Sequence, residues 1–129
     1  MDTMRRIKSR RNKWVDEREK TEHGVLEHVP KVVSMILSKT RTQRLTLKLR
    51  TILLYSYIAY KIRELDINLL RGLMARIRPP GYLTNQYFYE DIRRKLREEF
   101  GDNVEFVRRR QKWYAVFWNK EEQEKGESW

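Results

Sequence analysis

The chain has 129 residues, with 29 Lys and Arg against 18 Asp and Glu, a net charge of +11 and an isoelectric point near 10.1. That length suits one compact domain with a tail, and the excess of cations makes an anionic partner the expectation. The absence of cysteine excludes disulfides, cysteine zinc sites and thiol chemistry.

The chain opens with a basic arm. Arg5, Arg6, Lys8, Arg10, Arg11 and Lys13 stand against Asp2 alone up to position 13. No apolar segment follows that would make it a secretory signal. Residues 1–28 therefore read as a basic, flexible arm that follows phosphates or enters a minor groove, with a solvated terminus as the plainer alternative. His23 and His28 lie in this region, but their spacing matches no metal motif and no third ligand accompanies them.

Val29, Val32, Val33, Ile36 and Leu37 recur at helical spacing and predict an amphipathic helix over 29–38, with Pro30 placed in its first turn. The connection 39–44 is polar and basic. Leu45, Leu47 and Leu49 then alternate with Thr46, Lys48 and Arg50, which is a strand pattern, yet they run directly into the apolar stretch 51–60. We favour one helix over 45–64, apolar nearly all round and therefore buried. The stretch 51–60 is far shorter than the ~20 residues that span a bilayer.

Asp66 is expected to cap a third helix over 67–78, with Leu69, Leu70, Leu73, Met74 and Ile77 on its apolar stripe. Gly72 lowers the propensity of that helix and offers a site of close approach. Pro79, Pro80 and Gly81 break the chain. A fourth helix is predicted over 84–100, capped by Thr84 and stopped by Gly101. Phe88, Ile92, Leu96 and Phe100 form its buried stripe; Asn85, Gln86, Tyr89, Arg93, Arg94 and Arg97 fall away from it. Glu90, Asp91, Glu98 and Glu99 suit ion pairs with Arg94, Lys95 or flanking positions. Two strands follow, 103–108 and 113–118, joined by the cationic turn 109–112. Residues 119–129 read as a polar tail. The fold class is therefore mainly α with a C-terminal β-hairpin, an α+β domain over 29–118.

The order helix, helix, turn, helix, hairpin over 45–118, with an arginine-bearing helix 84–100 and a cationic hairpin, resembles winged helix-turn-helix DNA-binding domains. It is similar to small regulators of archaeal viruses and plasmids, and the lack of cysteine fits a thermophile. The resemblance implies a recognition helix in the major groove of double-stranded DNA and a wing on the backbone or minor groove. Carried to this chain, Asn85, Gln86, Tyr89, Arg93 and Arg97 become base-reading candidates. Arg108, Arg109, Arg110 and Lys112 become phosphate candidates, and Arg94 of the helix with Arg5, Arg6, Arg10 and Arg11 of the arm complete the DNA-binding set. The chain departs from the family in two ways. Only Leu65-Asp66-Ile67 is available for the small strand between the first two helices of many members, and the helix from Val29 is extra. Added terminal helices often build dimers in the family, so a homodimer is expected.

No glycine-rich phosphate loop or nucleophile elbow is present. Asp102, Glu105 and Lys112 suggest a restriction-like nuclease, but Val107 stands where such a site expects lysine. The expectation is a transcription regulator of the cytoplasm or nucleoid, not an enzyme, without a cofactor, a small-molecule substrate or a membrane. Its rivals are a nonspecific DNA-coating nucleoprotein and a basic module that inhibits a host nucleic-acid enzyme. The hairpin aromatics Trp113, Tyr114, Phe117 and Trp118 divide between core closure and stacking on unpaired bases.

Overall fold

The computed structural model describes the backbone of residues 2–118 and the side chains of residues 17–118. The architecture is α+β: helices α1 (Asp2–Lys39), α2 (Leu49–Ile62), α3 (Ile67–Leu73) and α4 (Gln86–Phe100) accompany a small sheet of β1 (Arg44–Lys48), β2 (Val104–Arg109) and β3 (Lys112–Trp118). The tail 119–129 lies outside the described residues.

The sheet is antiparallel throughout, in the order β1-β3-β2. Leu47 pairs with Ala115, and Ala115 with Phe106, so β3 is central. This corrects the expectation of a helix over 45–64. Arg44, Thr46 and Lys48 are exposed while Leu45 and Leu47 are half-buried, and helix starts only at Leu49. Alternation and helical runs both satisfy local preferences here. The ladder with β3, some seventy residues away in sequence, decides between them.

Helix α1 also begins well before Val29, and Pro30 is interior to it. Proline has no N–H to donate to the carbonyl of Leu26, a loss that normally breaks a helix. Burial on both sides of the proline offsets it: Val25, Val29, Val32 and Val33 are fully buried. Gly24 also lies under the ring of Tyr60, where any Cβ would collide with the aromatic carbons. His28 sits edge-on to the same ring, and its Nδ1 lies 2.7 Å from the Gly24 carbonyl, to which it donates.

The main core joins Val25, Val29 and Val33 of α1 to Leu49, Ile52, Leu53 and Tyr57 of α2, to Leu83, and to Phe88, Ile92 and Leu96 of α4. Val104, Ala115 and Phe117 close it from the sheet. A smaller cluster holds α3 through Leu70 against Val32, Tyr55, Ile58 and Ala59.

Asp66 caps α3 as expected, accepting from the backbone N–H of Asn68 at 3.0 Å. The helix stops at Leu73 instead of Arg78, and the chain continues in turns, with the N–H groups of Arg76 and Ile77 both donating to the Leu73 carbonyl. Gly72 faces open space and serves no close approach. The α4 cap is Asn85 and not Thr84: Asn85 Oδ1 accepts from the Phe88 N–H at 2.9 Å, while the Thr84 hydroxyl donates back to the Gly81 carbonyl. Gly101 ends α4 at a positive φ of 52°, but its ψ of -122° is not the left-handed helical conformation expected there.

Candidate nucleic-acid interface

Three elements meet around one concavity of about 750 Å³. Helix α4 contributes Gln86, Tyr87, Tyr89, Glu90 and Arg93. The hairpin contributes Arg108, Gln111, Lys112 and Trp113. The β1–α2 junction contributes Lys48, Leu49 and Arg50. The topology explains the meeting. Pairing of β1 with β3 brings the start of α2 beside the hairpin, and the α4 stripe Phe88–Ile92–Leu96 turns the next face of that helix toward it.

The sequence-derived candidates divide on this geometry. Gln86, Tyr89, Arg93, Arg108 and Lys112 all line the concavity. Arg109 and Arg110 are exposed on the hairpin beyond it. Arg97 lies one turn further along α4, its guanidinium 4.9 Å from the ring centroid of Phe106. Arg94 instead points toward α1 and pairs with Asp91 at 3.4 Å, a solvent-exposed contact of the kind expected for α4. Asn85 is engaged in its cap: its amide oxygen accepts from Phe88, and its amide nitrogen also donates to the Tyr82 carbonyl at 2.6 Å. The side chains of Arg5, Arg6, Arg10 and Arg11 lie outside the described residues.

The Arg93 guanidinium lies over Trp113, 4.2 Å from the ring centroid, and its Nε is buried without a hydrogen-bond partner among the described residues. Arg108 approaches the same indole at 5.9 Å. Such cation–π contacts fix a guanidinium without neutralising it. Burial raises the Tyr89 phenol above its ordinary value of 10.0, with the charge of Arg50 opposing, so the ring stays neutral beside these cations. Tyr87 is 72% exposed at the rim, the most exposed large hydrophobic residue among those described.

Lys48, Arg50, Tyr87 and Gln111 escape a sequence reading. The alternation over 44–48 is the one signal for Lys48 and Arg50, and it gains meaning only once β1 is known to pair with β3. The hairpin tip is also special: Arg110 and Gln111 have φ of 51° and 67° in a two-residue loop, because β2 ends at Arg109 and β3 begins at Lys112. Val104, Phe106, Ala115 and Phe117 face the core, so the hairpin aromatics are not a free stacking platform on that side.

His23 lies 3.0 Å from Glu27, and no three potential metal-ligating side chains cluster among the described residues. Among those residues no helix is long and apolar enough to cross a membrane.

If Asn85 acts through its cap, Asn85→Ala is expected to cost about 1–2 kcal/mol of stability. Urea unfolding monitored by circular dichroism measures this. A change in DNA sequence preference with unaltered stability would return Asn85 to the base-reading set.

No family model matches the chain, and neither a curated protein nor a solved structure matches it.

Proposed function

We propose that the chain binds double-stranded DNA through α4 and the β2–β3 hairpin, as a homodimeric winged-helix regulator that occludes or recruits at a promoter. The observation that carries this reading is the convergence of Lys48, Arg50, Arg93, Arg108 and Lys112 from three separate elements onto one face. No ion pair joins any of them to a described carboxylate. Like charges gathered this way repel, so folding alone does not account for them, whereas a phosphate backbone does. The topology adds support. With α1 counted as the first helix, β1 falls between the first two helices, and the order β1-β3-β2 places the hairpin beside it. The addition to a winged helix is then α3 and not the helix through Val29.

One set of contacts favours a second reading, a DNA-coating protein without sequence preference. Asn85 is engaged in its cap, Arg93 lies on Trp113 and Arg94 pairs with Asp91. Arg97 likewise lies over Phe106, which leaves Gln86 and Tyr89 for base edges, so contacts to phosphate dominate.

Fluorescence anisotropy against random duplex DNA over a salt series, followed by sequencing of the bound fraction, separates the readings. A regulator enriches a motif, and a coating protein shows a steep salt slope with none. Arg109→Ala with Arg110→Ala is expected to weaken binding on every sequence and to reduce the log–log salt slope by about 0.9 per lost phosphate contact. Unchanged affinity in that variant removes the hairpin from the interface. Absence of duplex binding at low salt discards both readings in favour of an acidic protein partner.

A further inference from the structure

We infer that the concavity between α2, α4 and the hairpin is a binding site for a free nucleotide: a planar aromatic base carrying phosphate. The site lies on the face assigned to DNA, but the inference stands on its shape and lining. At about 750 Å³ it falls within the range of small-molecule sites.

The lining is divided in the way a nucleotide requires. Lys48, Arg50, Arg108 and Lys112 supply the cations for a phosphate, and none of them is ion-paired to a described carboxylate. Arg93 adds a fifth charge, already oriented by Trp113, with its Nε buried and without a partner among the described residues. Tyr87, exposed on the rim, offers a ring face on which a base stacks. Gln86 and Gln111 can donate to and accept from a base edge. Glu90 is the one carboxylate in the wall, suited to accept from sugar hydroxyls or an exocyclic amine. A phosphate alone would use the cations and leave this polar and aromatic wall without a role.

Isothermal titration of the full chain with each of the four nucleoside 5′-monophosphates, and with inorganic phosphate, tests the site. The expected result is one-to-one saturable binding of at least one nucleotide, with inorganic phosphate much weaker. Arg50→Glu should weaken that binding by about tenfold or more, while Arg71→Glu, an equal charge change at an exposed residue of α3, should leave it within about twofold. Arg50 and Lys112 are both exposed, and Lys112→Glu provides the second variant if the first fails to fold. No saturable nucleotide binding, equal binding of inorganic phosphate, or equal losses in the Arg50 and Arg71 variants each overturns the inference. The titration contains no DNA, so failure of the DNA reading leaves it intact. Duplex affinity that falls in Arg50→Glu without any nucleotide isotherm assigns these cations to strand phosphates and overturns the nucleotide site alone.

Discussion

Phe117→Ala is expected to destabilise the domain by about 3–5 kcal/mol, the upper range for truncation of one side chain. Phe117 is fully buried and lies on the central strand, paired with Leu45 on one side and Val104 on the other. Its ring meets Phe100 edge-on at 5.3 Å, so it ties the end of α4 to the sheet. Alanine there leaves a cavity between sheet and helices that cannot collapse without moving both. A domain of this size is stable by only about 5–15 kcal/mol, so the loss is a large share of the total. Denaturant titration followed by circular dichroism measures it. A cost below about 1 kcal/mol would mean that the sheet is peripheral to the core and that the hairpin is not held by α4.

Replacing Arg110-Gln111 by Asn-Gly is expected to act in the opposite direction. Both residues of this two-residue loop lie at positive φ, 51° and 67°. A hairpin of this geometry favours asparagine then glycine, because an ordinary L side chain at each position is strained by about 1–2 kcal/mol. Relief of that strain should stabilise the domain by about 1–3 kcal/mol and raise Tm by several degrees. The same change removes the Arg110 cation from the tip and should weaken duplex binding. Stability gained with affinity lost would identify the tip as a place where strain is retained for binding. A Tm that stays constant or falls would show that other contacts of Arg110 or Gln111 outweigh the strain. The two measurements, melting and anisotropy, are independent, so each judges its own half of the expectation.

Much of the candidate interface is legible in the amino-acid sequence. The α4 stripe of Phe88, Ile92 and Leu96 makes its orientation readable from spacing, and with it the placement of Gln86, Tyr89 and Arg93. The hairpin is readable because Val104 and Phe106, then Ala115 and Phe117, alternate around a polar turn. Pro30 misleads, since its usual place at a helix start is a local preference that burial of Val25 on the far side overrides. Thr84 misleads as a cap because Asn85, one residue on, makes the same kind of bond with a longer reach to the Phe88 N–H.

Local signals suffice for the α3 cap at Asp66, the stop at Gly101, the amphipathic face of α4 and the excess of cations. Each of these depends on residues within one or two turns of each other, or on composition alone. Three other features depend on partners far away in the chain. Arg44–Lys48 is a strand, α1 continues through Pro30, and Lys48 and Arg50 share one concavity with Arg108 and Lys112. In all three, hydrogen-bonded pairing and shared burial outweigh local preference, and no spacing rule within one segment reports them.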